Sequence, residues 1–224
     1  MNKKQEDKIV RDWQRHMELT RHITIDNIGE DNYERYYEKS REQLQKLLPI
    51  FPEFEKSVNR MFFFSEVPFA ISQYRNLLHE FNYSKEDAYK ILSAIVTEQV
   101  IQRIERSPIT KFMYGIMHKF PKFIINLMTK QFDVKEKNGW LFEFPKKDFF
   151  MGQNCVQCGA LIWLKEQDAP EICKIICYTD YLTASYMKGL RFIRTKTLAY
   201  GNEMCDFQYY KNDKIIDMDN IKLK

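Results

Sequence analysis

The sequence predicts an α+β fold, with a helical N-terminal half (residues 1–132) packed on a C-terminal mixed α/β region (residues 133–224) that carries a small antiparallel sheet. Three observations lead there. Apolar residues recur at helical spacing through the first half. Aromatic and alternating runs bounded by Gly and Pro begin only after Gly139. Seven glycines are few for a turn-rich all-β chain of 224 residues. The two regions are expected to form one compact unit.

Composition narrows the function classes. With 44% apolar and 29% charged residues, the chain has the makeup of a soluble globular protein with a sizeable core. A net charge of +4 is small, and basic residues alternate with acidic ones, as in Lys3-Lys4-Gln5-Glu6-Asp7-Lys8. That pattern fits a solvated surface, not a nucleic-acid site. The polar stretch from Met1 to Arg15 has no apolar core of a secretion signal. No apolar run reaches the roughly 18 residues needed to span a bilayer, so a cytoplasmic protein is expected.

The elements follow in order. Residues 4–22 read as a first helix, with Ile9, Val10, Trp13 and Met17 on one stripe; His16 and His22 fall in or just after it. Asn32 to Leu48 is a second, ended by Pro49 and Pro52. Residues 53–81 hold one or two helices interrupted near Pro68. Ser84 and Asp87 resemble a capping box, and Ala88, Ile91, Leu92, Ile95, Val96 and Val100 follow at helical spacing up to Pro108. Residues 109–132 give two apolar, lysine-fringed helical pieces around Pro121, suited to packing on the core or to lying on an anionic membrane surface. Trp140 to Phe144 reads as a strand, and Asn154 to Lys165 as a helix. Pro170 opens another helix with Cys173 and Cys177. Leu190 to Leu198 and Met204 to Tyr210 form a hairpin about Gly201-Asn202.

The chemistry concentrates at the end of the chain. All five cysteines lie between Cys155 and Cys205, with Asp180 three residues after Cys177 and Asp206 directly after Cys205. An odd number of cysteines packed into one region favours free thiols, catalysis or metal over a disulfide framework. A thiolate can attack an electrophilic carbon when a cation or helix N-terminus lowers its pKa, and a nearby carboxylate can serve as acid or base. Plainer readings stand beside these. Buried cysteine is often a small hydrophobe, above all at Cys158 and Cys173, and Asp206 can bond a turn amide. Four thiolates could hold zinc, but the second pair, Cys173 and Cys177, has the wrong spacing for a zinc knuckle, so no metal or cofactor is expected. No histidine follows His118, so a Cys/His pair would have to draw on His79 or His118.

The last third resembles the L-2-amino-thiazoline-4-carboxylic acid hydrolase family. The resemblance rests on Cys155, the pair Pro170-Glu171, the step Cys177-x-x-Asp180, and the block Arg194-Thr195-x-Thr197 followed by Gly201-x-x-x-Cys205-Asp206-Phe207. It implies hydrolysis of a non-peptide carbon–nitrogen bond, with a cyclic amidine ring opened toward a carbamoyl-cysteine. Cys177, Cys205, Asp180 and Asp206 are then the expected catalytic residues, with Cys155, Arg194, Thr195 and Thr197 as substrate contacts. Thr195 and Thr197 would share one face of a strand, with Arg194 on the other. Two departures stand out: Cys158 adds a Cys-x-x-Cys, and Gln208 replaces an arginine suited to a substrate carboxylate. The expected partner is a small-molecule substrate, with a homodimer possible. A non-catalytic module that binds a small molecule or metal in the same pocket is the alternative.

Overall fold

The computed structural model describes residues 1–120, 136–145 and 150–211, and the helices of the first half appear in the expected order. They are α1 (Lys3–Leu19), α2 (Arg21–Ile28), α3 (Glu30–Leu47), α4 (Ser57–His79), α5 (Lys85–Glu105) and α6 (Pro108–Ile116). The helical piece expected after Pro121 and the boundary at 132/133 lie outside the described residues, as does the side chain of His118. Asn2 closes a capping box on α1 with Gln5. At α5 only half a box forms. Ser84 Oγ accepts from Asp87 N, but the Asp87 carboxylate accepts from the Ser84 hydroxyl, not from its backbone.

Helix α4 is the axis of the first half, and it corrects the expectation of a break near Pro68. The helix runs through the proline without interruption. Pro68 removes one helical N–H bond, but α4 is packed against α3 and α5, and its burial keeps the helix continuous. The Ser65 carbonyl, three residues before the proline, accepts from Gln99 Nε2 of α5 at 3.3 Å. Tertiary packing outweighs local propensity here. On α6, by contrast, Ile109, Phe112 and Met113 stay exposed.

The C-terminal region contains β1 (Leu141–Glu143), β2 (Met151–Gln157), α7 (Gly159–Glu166), α8 (Ile172–Ser185), β3 (Leu190–Ile193) and β4 (Cys205–Lys211). The strands form an antiparallel sheet in the order β1-β2-β4-β3. The helix expected from Asn154 to Lys165 is corrected: residues up to Gln157 belong to β2, and the helix starts only at Gly159. Cys155 therefore sits in a strand, opposite Cys205 of β4, and Cys158 takes the N-cap of α7. Gly159 is demanded by space, since a Cβ there would come within 2.1 Å of the Asn138 carbonyl oxygen.

Helix α8 joins the two halves. It packs on α5 and α4 and also meets β3. At its start the Tyr74 hydroxyl of α4 donates to Glu171 Oε1 at 2.8 Å, which gives the Pro170-Glu171 pair a structural purpose. One contiguous core runs from Ile9 to Tyr209.

Candidate functional site

Strand alternation separates the two neighbours Cys205 and Asp206. Cys205, Phe207 and Tyr209 are all buried on one face of β4, where the Phe192 ring lies against the rings of Phe207 and Tyr209 and Tyr181 of α8 stacks on Phe192. Asp206, Gln208 and Tyr210 take the opposite face, linked in a chain by bonds of 2.9 Å. An arginine at position 208 would thus stand on the face away from Cys205.

On the inner face all five thiols come together. Cys155 of β2, Cys205 of β4, Cys177 and Cys173 of α8, and Cys158 before α7 follow one another as a chain of sulfur contacts. All are free; four are buried and Cys158 is half-buried. The Cys155 thiol donates to the Gln157 carbonyl at 3.1 Å, and neighbouring sulfurs together with burial hold the Cys155 and Cys173 thiols well above the usual value. Cys177 is pulled down by Cys173, but donation to Cys205 and burial outweigh that and raise it. Cys205 is the opposite case. Its neighbours Cys155 and Cys177 offset burial and push its own pKa far down. The Leu198 N–H adds a donor 3.3 Å from its sulfur, and Arg194 adds positive charge. Cys158 is lowered too, by Cys173 first and, against burial, by the Leu161 and Ala160 N–H groups at the start of α7. Cys205 and Cys158 are thus the two thiols that their surroundings lower. Among the described residues no group of three or more His, Cys, Asp or Glu side chains is arranged to hold a metal ion.

Asp180 and Arg194 adjoin the thiols. Arg194 Nη1 donates to Asp180 Oδ2 at 2.6 Å and Nη2 to the Cys177 carbonyl at 2.9 Å. The guanidinium lies over the Tyr181 ring, 4.7 Å from its centroid. Arg194 thus continues the inward alternation of Leu190 and Phe192, which reverses the expected assignment of faces. Surrounding protein pushes the Asp180 carboxyl up, against the pull of Arg194, to about 7. Its side chain keeps 39% exposure, so water softens that push, while Arg194 is 3% exposed.

The two threonines are corrected in kind. Strand β3 ends at Ile193, so Thr195 and Thr197 lie in the connection and not on a strand face. The reason is Asp206. Its Oδ1 accepts from the backbone N–H of Thr195 at 2.8 Å and of Lys196 at 2.6 Å; its Oδ2 accepts from the Thr195 hydroxyl at 2.7 Å and from Gln208 at 2.9 Å. A carboxylate thus replaces ladder partners for two backbone donors. Burial raises the Asp206 pKa, but these bonds outweigh it and hold the group below the usual carboxylate range. Thr197, buried, opens the turn Leu198–Tyr200, and its N–H donates to Asn202 Oδ1 at 2.9 Å. Gly201 closes the turn at φ 87°, ψ 7°.

Several residues near the site were not anticipated. Glu66 of α4, 9% exposed, bonds Arg103 at 3.2 Å and accepts from the Thr179 hydroxyl at 3.4 Å, and its charge reaches Asp180. Tyr209 is buried close to Asp180 and Arg194, and Tyr89 and Tyr200 lie near Cys177. Glu66 did carry a signal, as the single charged residue in the run Met61 to Ile71. The tyrosines carried none.

A family model described as L-2-amino-thiazoline-4-carboxylic acid hydrolase matches residues 63–209. The chain belongs to this family. It is an enzyme of the L-2-amino-thiazoline-4-carboxylic acid hydrolase family, and the match covers α4 through β4, including every cysteine, Asp180, Arg194 and Glu66. Helices α1 to α3 fall before it. No curated protein and no solved structure matches the chain. No helix among the described residues is long and apolar enough to cross a membrane.

Proposed function

We propose that this hydrolase opens a small cyclic amidine of the amino-thiazoline-carboxylate type, with Cys205 as the nucleophile. One observation carries the reading: the Leu198 N–H donates to the Cys205 sulfur at 3.3 Å, and the neighbouring Cys155 and Cys177 and the nearby Arg194 guanidinium lower its pKa, which favours a thiolate there. The sulfur adds to the C2 carbon of the ring, and the amidine nitrogen takes up the electron pair. Asp180, protonated in part near neutral pH, gives its proton to the ring atom that leaves C2. Water then attacks the same carbon and returns a proton to the Asp180 carboxylate, the bond from that carbon to Cys205 Sγ breaks, and the carbamoyl product departs with the thiolate restored. Cys155 and Cys177 keep the thiolate charged but buffered, and Arg194 supplies positive charge for the substrate carboxylate or the developing anion. Asp206, Thr195 and Thr197 act from the far face by fixing the loop that presents Leu198 and Arg194. Asp180, the more exposed partner of its ion pair, marks the side from which substrate enters.

The experiment is to incubate the reduced protein with L-2-amino-thiazoline-4-carboxylate and follow the hydrated, ring-opened product by mass spectrometry. Turnover should fall at least about a thousandfold in Cys205→Ala, as expected when a nucleophile is lost. It should fall by about tenfold to a hundredfold in Cys177→Ala, where one thiolate donor goes. Undiminished turnover in Cys205→Ala would rule out the thiolate mechanism.

A further inference from the structure

A cavity of about 540 Å³ lies in the helical half, away from the thiols, enclosed by α1, the segment before α4, the first half of α4 and Arg103 of α5. No cysteine lines it, nor does Asp180 or Arg194. Much of its wall comes from residues before 63, outside the family match. Its volume is within the ordinary range for small-molecule sites.

The walls divide by chemistry. Ile9 and Phe54 are buried, Phe64 is half-buried, and Met61 stands at the mouth with 60% exposure. Among the charged groups, Lys8 is spent on Asp12 at 3.1 Å, and the Met1 ammonium on Glu53 at 3.2 Å, with Glu53 86% exposed. Arg103 Nη2 donates to Glu66 at 3.2 Å, and Arg60 Nη2 donates to the Phe54 carbonyl at 2.8 Å. Both guanidiniums keep further donors beside an apolar wall. His16 is neutral at physiological pH, since burial and then Arg103 lower its pKa to about 4. It does not compete as a cation.

We propose that this cavity binds a small amphipathic monocarboxylate, with its carboxylate on Arg103 and its apolar chain against Phe54, Phe64 and Met61. An anion suits the spare guanidinium donors. A cationic ligand would meet Arg60 and Arg103. A purely apolar one would make no use of the guanidinium donors at the mouth, where Arg103 keeps 37% exposure. Occupancy would reach the thiol region through Arg103, Glu66 and Thr179, the residue before Asp180.

The test is calorimetric titration of the full, reduced chain with decanoate below its micelle concentration. Saturable binding to one site is expected. Arg103→Gln should weaken it by about tenfold or more, as the loss of a charge-assisted pair implies. Met61→Glu, at an exposed position that leaves the fold intact, should do the same. Cys205→Ala should bind decanoate as the parent does, which separates this site from the catalytic one. The His16 ring protons should shift on titration, and the His16 pKa should rise with the anion nearby. A non-saturating signal, or affinity unchanged in Met61→Glu and Arg103→Gln, would overturn the proposal. Equal affinity for decan-1-ol would overturn the role of Arg103.

Discussion

Removing the Asp206 carboxylate should unfasten the connection between β3 and β4. In Asp206→Ala four donors lose their acceptor: two backbone N–H groups, the Thr195 hydroxyl and the Gln208 amide. Asp206 is 7% exposed, so water replaces it poorly. Hydrogen bonds to a charged acceptor contribute about 1.5–3 kcal/mol each, and buried donors left open cost about 1–3 kcal/mol. With some relaxation of the loop, a loss of about 3–5 kcal/mol follows. For a chain of this size that lowers Tm by roughly 6–20 °C. Asp206→Asn keeps an oxygen for the two backbone donors but turns an amide toward Gln208, so about 1–2 kcal/mol is expected. The sign with pH is fixed by the depressed pKa. The stabilisation is present above the unfolded carboxyl value of about 3.9 and is lost as pH falls through the folded value. The gap between parent and Asp206→Ala should therefore narrow below about pH 4. Urea unfolding at several pH values measures all of this. A loss under about 0.5 kcal/mol for the alanine variant would refute the bracing role, because surface substitutions cost that little. Full stability with abolished turnover would return Asp206 to the chemistry.

Two further outcomes follow from burial and space. Gly159→Ala should cost at least about 3 kcal/mol, read by thermal unfolding, because the new Cβ would meet backbone oxygen at 2.1 Å and the Trp140 ring at 3.0 Å. His16, whose pKa drops from 6.5 to about 4, must take up its proton largely on unfolding. Stability should therefore decline as pH falls between those two values, by about 2 kcal/mol from this group after discounting for its partial exposure. His16→Gln should flatten that slope in a series of urea midpoints, and an unchanged slope would show that other groups carry it.

The periodicity of apolar residues was enough to place most helices of the first half, because their burial and their spacing express the same 3.6-residue repeat, but it did not find α2 at Arg21–Ile28. It failed at Pro68, where local propensity says break and a fully surrounded α4 says continue. It failed again at Asn154 to Gln157, whose few apolar residues fit a helix as well as a strand until β4 supplies a partner. The Cys-x-x-Asp step and the Cys-Asp-Phe block told the family, since they are matters of order along the chain. Their roles depend on which face each side chain takes. A period of two places Cys205 with four other thiols and sends Asp206 to the opposite side of β4. The surroundings that lower the Cys205 thiol are a property of the tertiary structure alone. They need β2, α8 and the Leu198 turn to converge on one sulfur.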